Sequence, residues 1–160
     1  MALERYIFCQ VYVAFWFKTM EKLYQSFWSM KGRCNNITNR SYNNYGGRGI
    51  KCFWKSFEEF VNDMGESYKI HAKKFGENNT TLDRIDGNSH YCKENCRWAT
   101  RKVQANNRRN NHLITFNKET KTISQWADDI GMKRTNLKNR INNLDWSIEE
   151  ALTKPIRFKS

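Results

Sequence analysis

The chain has 160 residues and carries 28 Lys and Arg against 16 Asp and Glu, a formal net charge of +12. A hydrophobic fraction of 39%, with 14% aromatics, is enough to build a packed core and excludes wholesale disorder. The apolar run from Ile7 to Phe17 is too short for an ordinary membrane span, and the excess charge points to a polyanionic partner, nucleic acid first.

Residues 1–19 form an uncertain leader. The Ile7–Phe17 run has the length of a signal-peptide core, but Arg5 is its only upstream cation and no small-x-small cleavage site precedes Lys18, so export is not expected. Two readings stay open: the leader packs as a β-rich edge, or it extends a chain that works from Met20. The five cysteines, Cys9, Cys34, Cys52, Cys92 and Cys96, are odd in number and contain no C-x-x-C pair. That argues against a disulfide framework. A zinc site from Cys34, Cys52, Cys92 and Cys96 has no support from spacing, so reduced thiols partly in the core are expected.

Residues 20–112 read as one domain. Leu23, Phe27, Met30 and Cys34 recur at helical spacing, as do Phe57, Phe60, Val61 and Met64. Between them lies Tyr42-Asn43-Asn44-Tyr45-Gly46-Gly47-Arg48-Gly49-Ile50. Such a glycine cluster marks backbone that needs positive φ or approaches something closely. Arg48, behind two tyrosines, suits either a phosphate contact or a solvated turn. Leu82-Asp83-Arg84-Ile85-Asp86 alternates as a strand, Gly87-Asn88-Ser89 is a turn, and a strand from Tyr91 to Trp98 returns. Thr100 then caps a helix that is rich in cations: Arg101, Lys102, Arg108 and Arg109, with Arg97 just before it.

Residues 113–160 read as a helix-turn-helix module. Thr122-Ile123-Ser124-Gln125 is a capping box opening a helix that Gly131 ends. A second helix runs from about Lys133 to Ile141, with Leu137 as its apolar pin. Its outward positions, Thr135, Asn136, Lys138, Asn139 and Arg140, are of the kind that read base edges and phosphates. The competing reading is a helical hairpin with a polar outer face.

The strand-turn-strand-helix segment from Leu82 onward also carries a candidate site. A carboxylate at a strand end, Asp83, facing a carboxamide from the following helix, makes a two-ligand seat for Mg²⁺, which keeps several waters and binds a scissile phosphate. Arg84 would face that phosphate, and His90 or Tyr91 on the returning strand would be the base. The bland alternative is a capped turn, with Arg84 as salt-bridge partner of Asp83 and Asp86, and Tyr91 and Trp98 as core aromatics.

The series Leu82-Asp83-Arg84-Ile85-Asp86-Gly87-Asn88, Tyr91, Glu94-Asn95-Cys96-Arg97-Trp98-Ala99-Thr100, Gln104 and Asn107 resembles the ββα-metal motif of HNH endonucleases, especially small phage and intron-associated members. From Glu21 to Leu152 the chain is similar to phage-encoded proteins with a Tyr-Gly-Gly-Arg-Gly-Ile segment before the motif and a helix-turn-helix after it. The resemblance implies an α+β fold with a small ββα-metal core. It implies a DNA endonuclease, homing-type or otherwise mobile-element encoded, working in a host cytoplasm on double-stranded DNA, possible as a homodimer, with Mg²⁺ or Mn²⁺. Asp83 would be the first ligand, Gln104 or Asn107 the second, and Asn95 the residue tying the loop. The family's base His falls on Arg84, which holds its proton at any working pH. Some HNH restriction enzymes are similar in pairing Asp-Arg with a later Tyr, which implies that Arg84 favours a Tyr91 tyrosinate, or that His90 acts beside it. Without a base, a non-catalytic DNA-binding protein on a degenerate scaffold is the rival, and an RNA-binding module is the third class.

Overall fold

The computed structural model describes residues 2–155, with side chains from Phe17 onward. Helices and two small antiparallel sheets are mixed, an α+β architecture. The chain divides into two compact units, Met1–Gln104 and Ala105–Ser160.

In the first unit, α1 (Ala2–Asn35) and α2 (Phe57–Phe75) build most of the core. Leu23, Phe27, Met30 and Cys34 lie along one stripe of α1 and are buried, as their 3–4 residue spacing dictates. On α2 the buried stripe is Phe60, Met64, Tyr68 and Ala72. Ser56 caps α2, its Oγ accepting from Glu59 N at 3.1 Å, while the Glu59 carboxylate accepts from Lys55 N at 2.7 Å. Gly76, at φ +83°, ends the helix in a conformation open to glycine. The leader is not a β-edge: its backbone is the first half of α1. Its β-branched and aromatic residues favour strands only weakly, and a helix continuing into a buried amphipathic face overrides that preference.

Two 3₁₀ turns, Tyr42–Asn44 and Gly46–Arg48, carry the glycine cluster past the end of α1. After α2, β1 (Thr81–Arg84) pairs antiparallel with β2 (Cys96–Ala99), Asp83 opposite Arg97 and Arg84 opposite Cys96. Both strands are shorter than expected. Ile85 N donates to Asn95 O and Asp86 N donates to the Asn95 side chain, so the chain leaves the ladder at Arg84. Tyr91 pairs in parallel with Cys52 instead: Tyr91 N donates to Lys51 O and Phe53 N to Tyr91 O. Trp98 reaches into the core, its indole N–H donating to Met64 O at 2.9 Å. Thr100 Oγ1 accepts from Val103 N at 3.2 Å and starts α3 (Arg101–Asn106).

The second unit has its own core around Ile114, Trp126, Ala127, Leu137 and Ala151. A hairpin absent from the sequence reading, β3 (Leu113–Phe116) and β4 (Glu119–Thr122), turns through Asn117 and Lys118, both at positive φ. Next come α4 (Ile123–Asp129), opened by the capping box Thr122–Gln125, and α5 (Arg134–Asn142). Gly131 makes the turn between them at φ +66°. A further capping box, Ser147–Glu150, opens α6 (Ile148–Thr153).

Arg140 departs from the sequence reading. Thr135, Asn136, Lys138 and Asn139 are exposed on α5, but Arg140 is only 8% exposed. It is three residues after the fully buried Leu137, which puts it on the inner face. Its guanidinium donates to the carbonyls of Ala151 and Lys154 at 3.0 and 2.7 Å and of Pro155 at 2.8 Å, with the Trp146 ring 4.7 Å away. Arg140 therefore satisfies carbonyls at the C-terminal end of α6 and is not an outward position of α5. Arg140→Ala is expected to destabilise the second unit by about 3 kcal/mol, since three charge-assisted bonds to one buried and two part-buried carbonyls disappear together. Urea denaturation followed by circular dichroism measures it, and Arg140→Lys recovers only part because it lacks the planar fork.

Candidate active site

Asp83 sits on β1 and is 7% exposed, with its Oδ2 3.2 Å from Arg97 Nε across the ladder. Cross-strand register makes this pair: opposite positions on one face bring side chains together. Arg97 itself is half-exposed, so it is tethered to the carboxylate while still facing solvent.

The loop from Ile85 to Asn95 is held by Asn95. Its Nδ2 donates to His90 O at 2.8 Å and Asp86 O at 3.2 Å, and its Oδ1 accepts from Asp86 N at 2.9 Å. Asp86 Oδ1 accepts from Asn88 N at 2.8 Å, an Asx turn at the loop tip. Arg48 Nη2 donates to Asn88 Oδ1 at 2.6 Å, which ties the glycine cluster to that same tip. Gln104 on α3 reaches back to β1, its Nε2 donating to Leu82 O at 3.1 Å. Its carboxamide is thereby fixed against the residue preceding Asp83. Asn107 lies past the division, in the second unit.

Arg84 and Tyr91 do come together, but not as the resemblance implied. The Arg84 guanidinium lies 4.8 Å from the Tyr91 ring centroid and 5.0 Å from that of Tyr45, and Arg84 Nη1 donates to Ser89 O at 2.7 Å. The contact is with the ring faces. Tyr91 is 3% exposed. Burial drives its phenol up to about 12, outweighing the lowering from Arg33 and Arg84. The expected tyrosinate is therefore corrected: Tyr91 keeps its proton throughout the physiological range. Because the folded value lies above the unfolded one near 10, the folded state binds the proton more tightly; this stabilisation is present below pH 10 and is lost as pH rises from there toward 12.

Arg33, on the last turn of α1, was missed by the sequence reading. Its Nη2 donates to the Tyr91 hydroxyl at 3.1 Å, its Nη1 to Ser29 Oγ at 2.8 Å, and its guanidinium lies 5.0 Å from the Tyr45 ring. Tyr45 and Tyr91 stack at 6.3 Å, nearly parallel. Two guanidiniums thus pack on one pair of tyrosines. Nothing local marks Arg33, whose partner is 58 residues away in sequence.

His90 is half-buried beside the Phe53 ring, and its Nδ1 accepts from Lys51 N at 3.2 Å. In the neutral ring this leaves the proton on Nε2. His90 must give up the Lys51 bond to take a second proton. Tyr91→Phe is accordingly expected to leave any hydrolytic rate within about threefold of wild type, whereas loss of a true general base lowers it by about 10²-fold or more. Initial nicking rates between pH 7 and 9 separate the two.

The remaining cations divide between the units. Arg101 is anchored, its Nε donating to Asn78 O at 2.9 Å, while Lys102 is exposed on α3. In the second unit Arg108 and Arg109 are exposed in the turn after α3. The cysteines Cys34, Cys52, Cys92 and Cys96 are free thiols, and burial raises Cys34, Cys52 and Cys96, the last to about 12.

Among the described residues no three His, Cys, Asp or Glu side chains gather to hold a metal. A cation here would rest on one carboxylate, Asp83, and the carboxamide oxygen of Gln104. Those are hard oxygen donors, which fit a Mg²⁺ that keeps most of its waters and do not fit zinc. Among the described residues no helix is long and apolar enough to cross a membrane. No protein family, curated protein or solved structure matches the chain.

Proposed function

We propose that this chain is a metal-dependent DNA endonuclease of the HNH, ββα-metal type, hydrolysing phosphodiester bonds in duplex DNA. The observation that carries the proposal is the order β1, stapled loop, β2, α3, with Asp83 next to the strand end, the Asn95 side chain bonding Asp86 and His90 across the loop, and Gln104 reaching back to β1. When bound, a divalent cation supplies Lewis-acid stabilisation of the phosphate and lowers the pKa of a water. Asp83 and Gln104 would hold it. Arg84, kept in place by two tyrosine faces and the Ser89 carbonyl, would meet charge building on the phosphate. With Tyr91 protonated, His90 is the remaining side chain to take the proton of the attacking water, at Nδ1 once that atom releases the Lys51 N–H. Lys102 and Arg97 in one unit, and Arg108, Arg109 and the exposed face of α5 in the other, would bind backbone and base edges. In this reading α4 and α5 form a DNA-binding helix-turn-helix.

The test is conversion of supercoiled plasmid to open-circle or linear DNA with Mg²⁺ or Mn²⁺ and its loss in EDTA, the plasmid carrying the protein's own genomic neighbourhood. A second reading, a non-catalytic DNA-binding protein on a degenerate HNH scaffold, is favoured by one observation: Tyr91, one of the two residues the resemblance offers as base, is buried, which drives its phenol up to about 12. Tight duplex binding with no metal-dependent nicking would select it.

A further inference from the structure

α1 carries a second stripe beside its buried one. Tyr24, Trp28, Lys31 and Asn35 follow each other at helical spacing. Tyr24 and Trp28 are each 52% exposed, a large aromatic area left at the surface of a strongly charged chain. Trp28 stands edge-on to Tyr24 at 5.9 Å and to Phe27 at 5.3 Å, and Tyr24 meets Phe57 at 5.4 Å. Phe27, Trp28 and Lys31 of α1 line a groove of about 490 Å³ together with Lys55, Ser56 and Phe57 at the start of α2. The volume lies in the range of small-ligand sites, ~300–1,000 Å³. Lys31 and Lys55 are its charged residues, and no acidic residue is among its described lining. Glu59, in the first turn of α2, is turned to the Lys55 backbone N–H.

We infer that this groove binds an unpaired nucleotide, its base stacked on Trp28 and its phosphate between Lys31 and Lys55. A half-exposed indole offers aromatic surface for stacking, which every base can use. The positive charge of Lys31 and Lys55 in the lining complements a phosphate, and the carboxamide of Asn35 can donate to or accept from a base edge. A base within a duplex has no free face, so the ligand is single-stranded. The inference goes beyond the endonuclease reading and needs neither the metal nor Asp83.

Fluorescence anisotropy of a labelled ten-residue oligothymidylate, titrated with the full chain in EDTA, tests it beside a labelled duplex of equal length. Trp28→Ala is expected to weaken oligothymidylate binding about tenfold, the scale of one lost base stack, and to leave duplex binding unchanged. Trp28→Phe retains most of the affinity. Lys31→Ala lowers the slope of log affinity against log salt by about 0.7, one phosphate contact on a single strand. Asp83→Ala binds the oligonucleotide as wild type does, whether or not the protein cleaves DNA. An unchanged affinity in Trp28→Ala, or equal losses for both DNAs, overturns the inference. So does sedimentation showing that the wild type self-associates and Trp28→Ala does not, since the groove would then seat a second copy of the chain.

Discussion

Asp83→Ala is expected to abolish metal-dependent nicking, by about 10²-fold or more, while the protein stays folded. In the proposed reading Asp83 is the one charged ligand, and removing it leaves only a neutral carboxamide to hold the cation. The effect on stability is small by comparison. Asp83 is buried, but Arg97, one partner of its carboxylate, is 43% exposed and returns to water when the carboxylate goes. Loss of such a half-exposed pair costs on the order of 1 kcal/mol. Rate and melting temperature measured together therefore separate a lost ligand from a lost fold. Asp83→Asn is the sharper control, because it preserves shape and removes only the charge. If Asp83→Ala and wild type nick at the same metal-dependent rate, the cation sits elsewhere and the HNH reading falls.

The parts of the fold legible in the sequence are those set by near neighbours. The buried stripes of α1 and α2 follow from apolar residues three and four apart, and the Thr122–Gln125 capping box marks the start of α4 as the sequence reading expected. The β3–β4 hairpin was not legible. Its two turn residues, Asn117 and Lys118, both take positive φ, and a lysine there lacks the glycine that usually signals such a turn. Arg140 was misread because its charge was weighed above its position three residues after Leu137. At the site, the loop-tying carboxamide of Asn95 acts across a short loop and lies close to its partners in sequence. Arg33 does not: it meets Tyr91 only because α1 and the Tyr91 segment pack together, and no local pattern reports that. The same packing buries the Tyr91 phenol, which is why a residue that reads as a base in the sequence is a protonated core aromatic in the fold. Burial depends on the whole unit, and spacing does not carry it.

Gly46→Ala is expected to be the most disruptive glycine substitution among the described glycines of the first unit. A Cβ at Gly46 would lie 2.0 Å from the Cys34 carbonyl oxygen and 2.4 Å from the Tyr42 ring. The nearer obstacle is backbone in the last turn of α1, which cannot rotate away as a side chain does. The glycine cluster must then lift off the helix, at a cost near the top of the overpacking range, about 3 kcal/mol. For a chain of this length that lowers the melting temperature by roughly 10 °C. Gly49→Ala makes a useful contrast. It meets no atom within 4 Å, and its φ of +80° is the only obstacle, a penalty of about 1 kcal/mol. The consequence of Gly46→Ala reaches the site as well, because the displaced segment carries Tyr45, which stacks on Tyr91 beneath Arg84, and Arg48, which holds the loop tip through Asn88. Nicking should therefore fall in Gly46→Ala even well below its melting temperature, and by more than in Gly49→Ala. A variant that melts early yet cuts normally in the cold would show that the glycine cluster supports the fold without positioning the loop.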